Sequence, residues 1–133
     1  MELTLKTSGQ FDFVDITEQI NGILPKLSVR DGAVLVFSKH TTASLVINES
    51  EEGVKEDAAA FWKRLLPPEM DYRHNQLRQD DNAHAHLLAM FLGPSVVLPV
   101  KDGRLDLGTW QRVFLVELDK PRIRQVVIKV VSI

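Results

Sequence analysis

Histidines are the side chains of this chain best suited to chemistry. There are four. His74, His84 and His86 fall between Asp71 and Ala89, and His40 opens the segment His40-Thr-Thr-Ala-Ser-Leu-Val-Ile-Asn-Glu49. Imidazole titrates nearest to neutrality of all side chains and is the commonest metal ligand. The clustering predicts a polar site built from two segments about forty residues apart.

The pair His84-x-His86 has two geometries. On a strand, residues two apart share a face and can chelate one ion. On a helix they point about 200° apart, and a shared ion becomes awkward. The flanks predict a helix, because Asn82 can cap it and Gly93-Pro94 can end it. The free N–H groups of its first turn would then favour an anion such as phosphate. Equally, one histidine can pack while the other is solvated.

His40-Thr41-Thr42-Ala43-Ser44 brings an imidazole and three hydroxyls to a strand junction, where they can hold phosphate oxygens. Threonine is also common in ordinary strands. Asn48-Glu49 precedes a helix, so Glu49 can be a general base, a metal ligand or only a helix-start carboxylate. In Gly108-Thr109-Trp110-Gln111 the glycine allows a bulge. There Trp110 can stack on a ring while Gln111 reads its polar edge, or Trp110 can be a core residue of a strand.

Composition narrows the setting. The 133 residues fit one domain, residues 1–133, with no linker, repeat or low-complexity tract. Apolar residues make up 44% and charged residues 26%, the balance of a globular protein. A net charge of −2 argues against nucleic acid as the main partner. Arg122, Arg124 and Lys129 are close in sequence and leave a local basic patch open, although two of them can simply face solvent. Without cysteine, disulfides, thiolate metal sites and cysteine nucleophiles are excluded. The N-terminus lacks a secretory pattern, and no apolar run is long enough to span a bilayer, so a cytoplasmic protein with no membrane partner is expected.

The elements that must position these residues follow from periodicity. Strands are predicted at Leu3–Thr7, Ala33–Ser38 and Ala43–Ile47. Thr17 is expected to cap a helix over Glu18–Leu27 that Pro25 distorts. A second helix runs from Ser50 to Leu66, with Val54, Ala58, Phe61, Trp62 and Leu65 on one face and Trp62 in the core. The segment Glu69–Asp81 reads as loop, followed by the helix Ala83–Leu92. Ser95–Val100 and Arg104–Leu107 form a hairpin around Lys101-Asp-Gly103. Thr109–Leu118 and Arg122–Ser132 are the last strands. The former is apolar on both faces, so it lies centrally or at a subunit interface. Mixed elements followed by strands predict an α+β fold: a largely antiparallel sandwich or jelly-roll-like sheet with about three helices packed on it.

The motifs together resemble one family. They are His40-Thr-Thr-Ala-Ser-Leu-Val-Ile-Asn-Glu49, Tyr72-Arg-His-Asn75, Asn82-Ala-His-Ala-His-Leu87, Gly93-Pro-Ser-Val96, Gly103-Arg-Leu-Asp-Leu-Gly-Thr-Trp-Gln111, Glu117-Leu-Asp119 and Pro121-Arg-Ile-Arg124. In this order they resemble the YjbQ-like family, whose members are often labelled secondary thiamine-phosphate synthases. The resemblance implies a homotrimer with a histidine-lined site near subunit boundaries and a bound divalent metal, Zn²⁺ or Mg²⁺. It implies a transferase that joins an aminopyrimidine diphosphate to a thiazole phosphate and releases pyrophosphate, with no organic cofactor. Carried onto this chain, the metal or phosphate ligands are His40, His84 and His86. The catalytic candidates are His40, Glu49 and His84. Substrate contacts fall to Thr41, Thr42, Ser44, Asn48, His74, Asn75, Asn82 and Thr109, with Trp110 and Gln111 as a wall. The competing readings are a metal-dependent hydrolase of a phosphorylated small molecule and a binding module without turnover.

Overall fold

The structure is a computed structural model that describes residues 1–132. Two antiparallel sheets form its frame. Strands β1 (Glu2–Lys6), β3 (Gly32–Ser38), β5 (Ser95–Lys101), β6 (Arg104–Leu105) and β8 (Ile123–Val130) make the larger, in the order β1-β8-β3-β5-β6. Strands β2 (Phe13–Asp15), β7 (Gln111–Glu117) and β4 (Ala43–Glu49) make the smaller, in that order. The described residues hold four α-helices, α1 (Thr17–Ile23), α2 (Glu52–Leu65), α3 (Arg73–Arg78) and α4 (Ala83–Leu92). The fold is α+β, as expected.

The main core lies between the sheets and under α1. Val34, Val36, Leu98, Val126 and Ile128 of one sheet meet Leu45, Val113 and Leu115 of the other, with Ile16, Ile20 and Leu24 alongside. A second core covers the opposite face of the small sheet, where Phe114 and Val116 meet Ala85 and Leu88 of α4. Strand β7 is apolar on both faces because it is central, between β2 and β4.

Several local expectations are corrected. Thr17 is not a cap: it lies in the first turn of α1, and its Oγ1 accepts from the Val113 N–H at 2.8 Å. Pro25 turns the rest of that segment into a 3-10 helix over Leu24–Leu27. The strand Phe13–Asp15 is too short to leave a period. The segment read as loop contains α3, a six-residue helix without a strong apolar face. Asn82 makes no capping bond. Instead Asn75 Oδ1 accepts from the Ala83 N–H at 3.0 Å, so α3 holds the start of α4. Trp62 is half-buried rather than core, stacked on Phe13 with ring centroids 5.8 Å apart. The rest of that helix face is still more open, with Phe61 and Leu65 exposed. The hairpin turn is as expected. Asp102 and Gly103 have φ of 51° and 78°, the conformation of a two-residue turn matching strand twist.

Candidate functional site

The polar centre grows from the place where the two sheets are joined. The chain leaves the small sheet at Glu117 and enters the large one at Ile123. In β8, Arg124 has the same parity as Val126 and Ile128, so it points inward and is only 3% exposed. Glu117 meets it there and is fully buried. Arg124 Nε donates to Glu117 Oε1 at 2.8 Å, and Nη2 donates to Oε2. Nη2 also donates to Thr42 Oγ1 at 2.8 Å and to the Thr42 carbonyl at 3.1 Å. Thr7 Oγ1 and the Asp119 N–H donate to Glu117 at 2.6 and 3.1 Å, completing its partners. A charge this deep is tolerated only when paired and hydrogen-bonded in this way.

A second ion pair lies two residues away along both segments. Arg122 donates to Asp119 Oδ2 through Nε at 3.2 Å and Nη2 at 2.8 Å. Asn82 Nδ2 donates to the same oxygen at 3.1 Å. That orientation leaves Asn82 Oδ1 as an acceptor, so His74 Nε2, 2.9 Å away, is the donor. Burial alone would raise the Asp119 carboxyl, but the bonds from Asn82 and Arg122 outweigh it and hold it below its usual value.

An open cleft of about 610 Å³ lies above these pairs, lined by Lys39, His40, Thr42, His86, Arg122 and Arg124 among others. Among the described residues Arg124 Nη1 takes no hydrogen-bond partner, and the side chain lines the cleft. Near-complete burial thus leaves one guanidinium edge for a ligand. His40 is fixed differently: the Gln125 backbone N–H donates to its Nε2 at 2.7 Å, which places the ring proton on Nδ1. Burial first, then the nearby Arg124 charge, lower the His40 pKa. Burial and then the neighbouring His74 lower that of His86. The His74 and His86 rings are 4.5 Å apart. At neutral pH the cleft therefore combines guanidinium donors with neutral imidazoles, a set suited to an anion whose arrival would draw in a proton.

The profile described as "UPF0047 protein YjbQ-like" matches residues 1–133. The chain belongs to this family. It is 50% identical to a UPF0047 protein of Archaeoglobus fulgidus over 129 residues, covering 97% of this chain and 98% of that protein. The UPF0047 protein YugU of Bacillus subtilis is 34% identical over 132 residues, covering 98% and 97%. Among solved structures, a YbjQ-like protein of unknown function from Sulfolobus solfataricus superposes with a TM-score of 0.92 at 44% identity, covering 98% of this chain and 94% of that one. An uncharacterised yjbq/upf0047 family protein of Clostridium acetobutylicum gives 0.89 at 36%, covering 98% and 99%.

Within this YjbQ-like chain the expected site residues divide into groups. His40, Thr41, Thr42, Asn82 and His86 line the cleft. His74 and Asn75 buttress it from α3, and Ser44 is buried with its hydroxyl donating to the Ala89 carbonyl at 3.4 Å. His84 does not join them. It faces a separate hollow of about 430 Å³ with Glu69, Asp81, Asp119 and Lys120, as the helical spacing predicts. Burial lowers its pKa despite those three carboxylates. Among the described residues no three His, Asp or Glu side chains are placed to share an ion. A metal held jointly by His40, His84 and His86 of one subunit does not fit this arrangement.

Asn48, Glu49, Thr109, Trp110 and Gln111 stand elsewhere. Glu49 pairs with Gln111 at the far end of the β4–β7 ladder, whereas Ala43 pairs with Glu117 at the cleft end. Six strand steps at ~3.3 Å put the two ends roughly 20 Å apart. Trp110 is 70% exposed, so it is not a core residue. Glu117, Asp119, Arg122 and Arg124 were not picked out by the histidine-centred reading. Their signal was an alternation, Glu-x-Asp followed by Arg-x-Arg, in phase with the inward residues of the last strand.

Proposed function

We propose that this chain is a transferase of the thiamine-phosphate synthase type, whose cleft holds the diphosphate of one substrate. Arg124 carries the reading, being a nearly buried arginine locked by Glu117 and Thr42 with one edge open to solvent. In the step proposed, the bond between the pyrimidine methylene carbon and the diphosphate oxygen breaks. Its electron pair stays on the leaving oxygen as the thiazole nitrogen bonds to that carbon. Preorganised donors aimed at the developing charge are the main means of lowering such a barrier. Arg124, Arg122 and Lys39 would supply them, and His40 or His86 would give up a proton to the departing diphosphate.

The Glu49–Trp110 end enters this reading through a neighbouring copy. A head-to-tail contact that closes into a ring, a homotrimer, would bring the half-buried Glu49 and the exposed Trp110 and Gln111 of one subunit to the cleft of the next. In that arrangement Trp110 and Gln111 form the wall against a substrate ring, and Glu49 serves as the acid/base group.

The test is formation of thiamine phosphate from the two precursors by purified protein, with Mg²⁺ or Zn²⁺ supplied. Product is expected, and Arg122→Lys and Arg124→Lys should each reduce kcat/KM at least about tenfold while the melting temperature reports folding. No product above blank removes the synthase reading. Hydrolysis of a phosphoester panel would then support the hydrolase, and ligand-dependent stabilisation alone the binding module. Light scattering should give a mass near three times 15.0 kDa.

A further inference from the structure

The cleft does not end at the histidines. Beyond His40 and His86 it opens into a slot of about 290 Å³, bounded by Ala43, Ala89, Met90 and Pro94. The slot and the cleft share His40, Thr41 and His86, so they form one continuous trough with two chemistries. The cleft end offers guanidinium, ammonium and imidazole nitrogens. The slot end offers methyl groups, a thioether and a proline ring, with Thr41 and the imidazole edges as its polar atoms. Its width depends on two alanines, Ala43 on β4 and Ala89 on α4, both buried. Their backbones are held together there: Ser44 Oγ donates to the Ala89 carbonyl at 3.4 Å, and the Leu45 N–H donates to the Gly93 carbonyl at 3.4 Å.

We propose that this slot is a subsite for an uncharged, flat ring attached to the anion in the cleft, and that it makes the site select ring-bearing phosphates over sugar phosphates. The inference rests on the anion-binding reading of the cleft and adds where the group carried by the anion is held and how the site selects it. A ring joined to phosphate through one carbon can enter the slot while its phosphate stays in the cleft, because the two spaces adjoin at His40, Thr41 and His86. Burial of an apolar ring against methyl and thioether groups is favourable in proportion to the area covered. A sugar gains nothing there, since its hydroxyls would lose water with few partners to replace it. The discrimination comes from the scarcity of hydrogen-bonding groups in the slot, where only Thr41 and the two imidazoles are polar, the kind of difference by which a site can reject a close analogue.

The test titrates the full chain with inorganic phosphate, benzyl phosphate and glucose 6-phosphate, following amide shifts of residues near Arg124 and Ala89. Benzyl phosphate should bind about tenfold tighter than inorganic phosphate, and glucose 6-phosphate no tighter. Ala89→Leu, which fills the slot, should remove the gain and leave the affinity for inorganic phosphate unchanged. Met90→Ser changes an exposed side chain and does not threaten folding; it should weaken benzyl phosphate alone. Phosphate binding with no gain from the ring, or a gain that survives both variants, overturns the subsite. A glucose 6-phosphate gain that Ala89→Leu removes overturns the selectivity. If inorganic phosphate and benzyl phosphate both leave the cleft amides unmoved, the anion reading fails and the subsite with it.

Discussion

The two ends of the β4–β7 ladder carry similar residue types in opposite states. At the Ala43–Glu117 end, a carboxylate, a guanidinium and two threonines are buried and bonded to one another across two sheets. At the Glu49–Gln111 end, the polar groups turn back on their own segments. Asn48 Oδ1 accepts from the Glu49 N–H, and Gln111 Oε1 accepts from the Gly108 N–H. The first end is fixed by the fold and serves it. The second has geometry to spare, and its exposed Trp110 gives the subunit no core contact. In the proposed reading one subunit supplies the anion cleft, and the rest of the expected site lies at an edge that another copy would bring to it.

The largest contrast expected is in stability. Glu117→Ala strands the Arg124 charge in the interior and should cost about 3–5 kcal/mol. Glu49→Ala should stay within about 0.5 kcal/mol, as surface substitutions do. Urea unfolding of both variants measures the difference, and similar values would erase the distinction between the two ends.

A smaller effect should appear with pH. Folding lowers the pKa values of His40, His84 and His86. The unfolded chain therefore takes up protons first as pH falls below about 6.5. The stability these histidines contribute is complete above that value and is lost on acidification towards their folded pKa values. The urea midpoint should thus drop between pH 7.5 and 5.5, and less so in His84→Gln. A midpoint that rises over that range would reverse the sign argued for these rings. Phosphate affinity should move the other way, tightening as pH falls, because a bound anion favours the protonated imidazoles.

The smallest effect is local. Asn82→Ala removes the link from His74 to Asp119 and should cost about 1 kcal/mol. It should loosen α3 against α4, seen as faster amide exchange over residues 73–78, while exchange near Gln111 stays unchanged.

Much of this was legible in the sequence. The antiparallel α+β frame, the two-faced strand and the turn at Asp102-Gly103 each follow from alternation or turn chemistry. So does the divergence of His84 from His86, which the helical period dictates. The joint was harder to see. Arg122, Arg124 and Lys129 read as a possible basic patch of which two could face solvent, because arginines and lysines are usually exposed. Only the pairing of β8 with β3, which turns Val126 and Ile128 inward, carries Arg124 inward with them. Helix α3 escaped notice because six residues held by side-chain bonds to α4 leave no hydrophobic period. The distance between His40 and Glu49 was hidden for a simpler reason: both border the same strand, and nearness along the chain there means separation along its length.

Co-purified mixtures of His40→Ala and Glu49→Ala subunits test most directly whether the two ends of the ladder meet across copies of the chain, with each variant first shown to be folded and inactive alone. If each site draws its cleft from one copy and its edge from the next, equal random mixing should restore turnover to about a quarter of the unmodified level. No recovery in mixed oligomers would contradict it.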